Sequence, residues 1–416
     1  MLSTKENFYI NKEEKFCSNT YHPLPVVLSR GKGVYVWDVH GKKYFDFLSS
    51  YSAVNQGHCN RKILNAFLKQ SKKLTLTSRA FYNNELGSSL QYITSIFGYD
   101  KMLPMNSGAE AVEAALKICR KWGYEIKKVK KNKAKIIVCD GNFHGRTTTV
   151  ISFSSCNESK KNFGPLTLGF EIIDYNNVNK LEEALKKDKN IVGFLVEPIQ
   201  GEGGVVVPDD GYLKNSKKLC EKYNVLFIAD EIQTGICRTG KMLACDHEEI
   251  KPDIVILGKA LSGGFYPVSG VLANSDIMGV LKVGQHGSTF GGNPLGSVVA
   301  KESIKFAVDK DLSKNARIMG DLFRHNLEKL KDKHKLIKKV RGKGLLNAIV
   351  LDCEESSKIP WQLSIQMRNN GVLAKPTQGN KIRFAPPLII TKKQILKAVQ
   401  LIDTSFSELK HGYSSK

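Results

Sequence analysis

Two residues in this 416-residue chain have the type and setting for covalent chemistry on a carbonyl. In VLFIADEIQTG, an apolar run from Val225 to Ala229 with strand character delivers Asp230 to its carboxyl end. In IVILGKALSGG, a second run, Ile254 to Leu257, delivers Lys259 just ahead of Ser262-Gly263-Gly264. A lysine amine forms an imine with an aldehyde, and a carboxylate beside a pyridine nitrogen keeps that ring protonated and able to accept electrons. Taken singly, Asp230 reads as a helix cap and Lys259 as a solvated loop residue. Placed at neighbouring strand ends, they would face one ligand from opposite sides, and that setting favours a site.

The segment NSGAEAVEAALK adds an anion site. Ser107 is placed to cap a helix, and the backbone amides of Gly108 and Ala109 would stand at the positive end of its dipole. An ordinary capped helix is the plain alternative. In GNFHGRT, Phe143 could stack on a planar ring and Arg146 could grip a carboxylate through two hydrogen bonds, against the plainer readings of a core Phe and a surface Arg. His144 reads as a polar loop residue flanking the ring. VEPIQGEGGV places Glu197 and Glu202 after the apolar run Ile191 to Val196, and the distant IRFAPPL carries Arg383. Glu202 and Arg383 could form an ion pair, although sequence does not show that they meet. An imine-forming lysine, a ring-protonating carboxylate and a phosphate-binding helix start are together what pyridoxal phosphate requires.

Elements must position these groups. From about residue 60 to 300, helical stretches alternate with short apolar runs, the pattern of a mostly parallel central sheet covered by helices. The strand candidates are Ile136 to Cys139, Thr148 to Phe153, Ile191 to Val196, Val225 to Ala229, Ile254 to Leu257 and Val268 to Ala273. Several are apolar throughout, as strands buried on both faces are, and ligands of open α/β sheets sit at the carboxyl-end loops. Beyond about 300, amphipathic helices Leu312 to Leu330 and Lys392 to Leu409 surround strands near Leu345 to Leu351 and Lys381 to Phe384, giving a smaller α+β domain. WDVHGKKYFDF near the start predicts a hairpin. The expected fold is therefore α/β, divided into an N-terminal segment with a small hairpin (1–54), a large cofactor-binding domain (55–300) and a C-terminal small domain (301–416).

Lys and Arg number 63 against 40 Asp and Glu, a net charge of +23. The lysines are spread along the chain, with short runs at Lys127 to Lys135 and Lys329 to Lys339 that read as solvated helix ends or loops, so the surplus favours anionic small molecules over nucleic acid. Nine cysteines without metal-ligand spacing predict reduced thiols and no metal site. Cys156 lies in a polar loop near Lys160 and Lys161, a setting that would permit redox sensitivity, against the plainer and favoured reading of an inert surface thiol. No apolar run approaches the roughly 20 residues that span a bilayer, and the first residues lack an apolar signal core or an Arg-rich transit pattern. No membrane association and a cytoplasmic location are expected.

The ordered segments NSGAEA, GNFHGRT, VEPIQGEGG, IADEIQTG, LGKALSGG, HGSTFGGNP and VRGKGLL resemble the class III aminotransferases of pyridoxal-phosphate fold type I, from roughly residue 25 to 405. Within that family YHPLPV, FLSSYSAVNQGH, LTLTSRAFYNN, GKALSGGFYPVSGVL and VLAKPT with IRFAPPL resemble the branch that acts on ornithine, transferring its distal amine to 2-oxoglutarate. The resemblance implies that Lys259 is the Schiff-base lysine and proton shuttle, that Asp230 pairs with the pyridinium nitrogen, that Gln233 bonds the ring hydroxyl and that Phe143 stacks on the ring. It implies phosphate binding by Gly108 and Ala109, completed by Ser288 and Thr289 of a second subunit, hence a homodimer. It further implies that Tyr21 and Arg146 hold ornithine's alpha end, that Tyr51 lines the same channel, and that Arg383 binds 2-oxoglutarate once Glu202 releases it. His144 stands where ornithine enzymes often carry Trp, and its His-Gly pair is common in acetylornithine enzymes. Acetylornithine or 4-aminobutyrate therefore stays open as the alternative amino donor.

Overall fold

The computed structural model describes the backbone of residues 3–413 and side chains through residue 409. Seven strands form the central sheet, in the spatial order Lys101–Met105, Ser269–Ala273, Ile254–Leu257, Leu226–Asp230, Ile191–Val196, Lys135–Cys139 and Phe170–Ile173. The last five run parallel to one another, and Ser269–Ala273 runs antiparallel to both its neighbours. Ile191–Val196, Leu226–Asp230 and Ile254–Leu257 are buried at every residue, which is why their sequences are apolar without alternation. The α/β class read from the sequence is the observed one.

Two smaller sheets flank it. The hairpin is present as Tyr35–Asp38 and Lys43–Asp46, turned at Gly41 (φ +84°) with the Asp38 carboxylate accepting the His40 and Lys42 amides. Leu28–Lys32 joins one side, and Val372–Leu373, from far along the chain, joins the other in parallel. The third sheet orders Ile337–Lys343, Leu346–Leu351, Lys381–Phe384 and Lys375–Pro376, all antiparallel. The helices Leu312–Lys333 and Lys392–Tyr413 pack against each other beside it. No helix among the described residues is long and apolar enough to cross a membrane.

One expected strand is a helix. Thr148 to Phe153 is rich in β-branched residues, yet Thr148–Ser152 forms a short helix whose N-cap, Thr147, accepts the Val150 amide at 3.4 Å. The Thr147 hydroxyl also donates to Glu113 at 2.6 Å, so a cap with a tertiary partner overrides a weak intrinsic preference. At the N-terminus a helix that the sequence reading lacks, Thr4–Phe16, begins with a Ser3/Glu6 capping box and buries none of its residues.

Candidate functional site

Asp230 is the last residue of its strand and pairs in register with Ile256 of the neighbouring strand; Lys259 follows three positions on. Lys259 has φ +42°, in the left-handed region that costs a side-chain-bearing residue energy and is retained where the surroundings enforce it. Both line one cleft of about 210 Å³ with Gly108, Ala109, Phe143, Glu197, Glu202 and Gln233. Burial lowers the Lys259 amine's pKa; Glu202 pulls it up and Arg383 pushes it down again, with a net downward shift. A lowered pKa enlarges the nucleophilic fraction.

The 18-residue helix Gly108–Glu125 points its N-terminus into the cleft. Ser107 accepts the Glu110 amide, and the Glu110 carboxylate reaches back to the amides of Asn106 and Ser107 at 2.8 and 2.9 Å. That leaves the first helical amides, at Gly108 and Ala109, facing the cleft without intrahelical acceptors. A Cβ on Gly108 would stand 3.1 Å from the Ile232 side chain, and one on Gly145 3.0 Å from that of Ala109, so the backbone is bare where an anion must approach it.

His144 is not the polar loop residue its sequence setting suggested. It is 3% exposed, and its Nδ1 lies 2.6 Å from Asp230 Oδ2. Burial opposes the imidazolium, but the hydrogen bond and charge of Asp230, with Glu197, outweigh it and raise the His144 pKa. Glu197 accepts the Phe143 amide at 3.0 Å; burial, against the pull of His144, pushes its carboxyl up to about 7.

The Glu202 and Arg383 segments meet. Arg383, 2% exposed, donates from Nη1 to Glu202 Oε1 at 2.6 Å and to Gln233 Oε1 at 3.2 Å, and its guanidinium lies 5.3 Å from the centre of the Tyr51 ring. Burial would raise the Glu202 pKa, but Arg383 and then Lys259 outweigh it and hold the carboxyl below its usual range. Gln233 also donates to Glu202 at 3.2 Å, so it is bound into this network. A second hollow shares Phe143 and Glu202 with the first and adds Tyr51, Arg146, Lys375 and Arg383. Arg146 is exposed, with its guanidinium 4.8 Å from the centre of the Phe143 ring.

Three expected site residues line neither hollow of this chain. Tyr21 is 77% exposed and lines neither hollow, because its neighbour His22 is stacked on Trp361 with ring centres 4.1 Å apart and so holds the segment at the surface. Electrostatically it still reaches Tyr51. Ser288 accepts from Asn106 Nδ2 at 2.9 Å, beside the phosphate-facing helix start, and Thr289 is exposed. Sequence reading missed Lys375, whose only signal was its place in VLAKPT, and gave Glu197 no role.

The residues present suit pyridoxal phosphate: one lining holds an amine of lowered pKa, a buried carboxylate, an aromatic ring and bare amides at a helix start.

Residues 16–406 match the family model for aminotransferase class-III. The mitochondrial ornithine aminotransferase of Drosophila melanogaster is 55% identical over 392 residues, covering 94% of this chain and 89% of that one. A Toxoplasma gondii ornithine aminotransferase structure, described with partial PLP occupancy at its active site, superposes with a TM-score of 0.96 at 47% identity, covering 99% and 96% of the two chains. An acetylornithine aminotransferase structure from Elizabethkingia anophelis gives a TM-score of 0.90 at 56% identity, covering 97% and 99%. The fly relative's mitochondrial designation overturns the cytoplasmic expectation. All nine cysteines are free, but reduced thiols separate reducing from oxidising compartments and do not separate one reducing compartment from another.

Proposed function

Because the chain belongs to the class-III aminotransferases, we infer that it moves the distal amine of L-ornithine to 2-oxoglutarate by a two-stage, ping-pong reaction, giving glutamate 5-semialdehyde and glutamate. The observation that carries this reading is the partly buried Glu202–Arg383 ion pair at the edge of the cleft that holds Lys259 and Asp230. Pyridoxal 5′-phosphate, when bound, supplies an aldehyde that captures amines and a ring that accepts the electron pair left by proton loss.

In this reading the Lys259 amine would hold the cofactor and would also carry the proton to and from the substrate's reacting carbon. Asp230 would pair with the ring nitrogen and Phe143 would stack on the ring; Gln233 would bond the ring hydroxyl, and Gly108 and Ala109 would bind the phosphate. Ornithine carries two amines, so its alpha end must be kept from the ring. Arg146 and Tyr21 take the alpha-carboxylate, with Tyr51 lining the way. An unmasked Arg383 would compete for that carboxylate and present the wrong amine, and Glu202 prevents this by pairing with it. 2-Oxoglutarate has two carboxylates, one for Arg383 after Glu202 lets go and one for Arg146.

We further infer a homodimer in which Ser288 and Thr289 complete the partner's phosphate site. Both stand outside their own chain's cleft, and the nearby Phe290, Phe81, Tyr82 and Val283 expose apolar surface, the two stretches being joined by Asn83 Nδ2 to Gly292 O at 3.4 Å. The division into 1–54, 55–300 and 301–416 belongs to the same reading, supported by the third sheet lying wholly beyond residue 300.

The purified, pyridoxal-phosphate-loaded protein should convert ornithine and 2-oxoglutarate to glutamate and a cyclising semialdehyde. Brisk turnover of acetylornithine or 4-aminobutyrate with none of ornithine would refute the reading. Acetylornithine is the reading that the Elizabethkingia structure's 56% identity favours, and it belongs in the donor panel.

A further inference from the structure

Lys375 is a charged group at the cleft edge with no carboxylate within salt-bridge distance among the described residues. It lies directly across the antiparallel ladder from Arg383, so the two side chains leave the same face, and both line the hollow that contains Tyr51 and Arg146. Arg383 is neutralised by Glu202. The Lys375 ammonium instead donates to the backbone carbonyl of His22 at 2.6 Å. Two further ties hold the same stretch of chain: the His22 ring on Trp361 and Arg368 Nη1 donating to Pro25 O at 2.6 Å. Trp361 and Arg368 both belong to the helix Ile359–Asn369, so Lys375 supplies the one of these ties that comes from the cleft side. Burial lowers the Lys375 pKa while Glu202 pulls it back up.

We propose that Lys375 is a positioning residue for the amino donor, tying the strap Tyr21–Pro25 across the edge of the cleft through the His22 carbonyl and so fixing where Tyr21 stands. This rests on the role given above to Tyr21. A carbonyl in a loop is satisfied equally well by water. A half-buried lysine that leaves water to bind it sets a position rather than meeting an unsatisfied group. Because Tyr21 directly precedes His22, loss of the tie frees the cleft side of the strap next to Tyr21 while the helix-side ties remain, and Arg146, on a separate loop, stays in place. The consequence is selective: the amino donor, which needs Tyr21, suffers, and 2-oxoglutarate, which uses Arg383 and Arg146, does not.

The test compares Lys375→Met, Lys375→Arg, Tyr21→Phe and the Lys375→Met/Tyr21→Phe double variant in the loaded enzyme. Loss of one charge-assisted hydrogen bond is expected to raise KM for ornithine about tenfold in Lys375→Met. KM for 2-oxoglutarate and kcat should stay within a factor of about two, Lys375→Arg should restore most of the loss, and the double variant should be no worse than the more impaired single one. Equal rises in both KM values, additive losses in the double variant, or no change in Lys375→Met would overturn the proposal. Chymotryptic cleavage after Tyr21 gives a readout independent of the substrate. It should accelerate in Lys375→Met and not in Lys375→Arg, and an unchanged rate in Lys375→Met overturns the proposal. If the wild type fails to use ornithine, or Tyr21→Phe leaves its KM unchanged, the functional reading fails separately, and the cleavage rates still decide whether Lys375 holds the strap.

Discussion

Replacing Glu202 by Gln removes one charge from the cleft edge and keeps its shape. Arg383 is 2% exposed, and its acceptors are Glu202 Oε1 at 2.6 Å and Gln233 Oε1 at 3.2 Å. After Glu202→Gln both acceptors are neutral, and the guanidinium, 5.3 Å from the Tyr51 ring centre, becomes an unmatched cation open to a carboxylate entering past Tyr51. A hydrogen bond to a charged group contributes about 1.5–3 kcal/mol. The Glu202 side chain is 25% exposed, so water already shares its charge and the lower end of that range applies. With about 1.4 kcal/mol per factor of ten, the preference for the distal over the alpha amine should fall about tenfold. Ornithine labelled with nitrogen-15 at one amine or the other, followed by mass spectrometry of the glutamate formed, reads this ratio without separating the cyclised products. The half-reaction with 2-oxoglutarate should persist, since it uses Arg383 unmasked. A label ratio that moves less than twofold in Glu202→Gln would show that Arg383 is not what the pair restrains, and the masking argument would fall.

Lys259→Ala should abolish turnover and the covalent attachment of cofactor, measured by borohydride trapping and intact mass. The fold raises the pKa of His144 and pushes that of Glu197 up to about 7, so the native state holds protons that the unfolded chain has released. What Glu197 contributes is therefore present at low pH and lost as pH rises through about 7, and what His144 contributes is lost as pH rises through its raised pKa. The cofactor-free protein should have a lower urea midpoint at pH 8 than at pH 6, and Glu197→Gln should shrink the difference; an undiminished difference would remove Glu197 from the explanation. Gly320→Ala puts a Cβ 1.9 Å from the Gly344 carbonyl oxygen, a backbone atom that cannot turn aside, and should cost about 1–3 kcal/mol in urea unfolding.

What the sequence made legible were groups whose position is set by the element they terminate. Asp230 and Lys259 follow apolar runs buried at every residue, and Gly108 opens a helix announced by Ser107 and Glu110; local pattern and tertiary role coincide there. It failed where they part. Lys101–Met105 contains a proline and Phe170–Ile173 closes the sheet's far edge half-exposed, so neither carries the apolar run that marks an inner strand. Thr4–Phe16 is a helix without an apolar face, and Thr148–Ser152 is a helix made of strand-forming residues. The chemistry divides along the same line. His144 and Asp230 are 86 residues apart, Glu202 and Arg383 181, and Lys375 and His22 353, and no periodicity spans such intervals. Residues that would bind the cofactor lie at element ends and are readable one segment at a time. Residues that would choose the substrate act as pairs between the central sheet's loops, the third sheet and the N-terminal strap. Substrate choice can thus change by altering one partner while every cofactor motif stays intact. Glu202→Gln and Lys375→Met both test that separation, because each leaves Lys259, Asp230 and the helix start at Gly108 untouched.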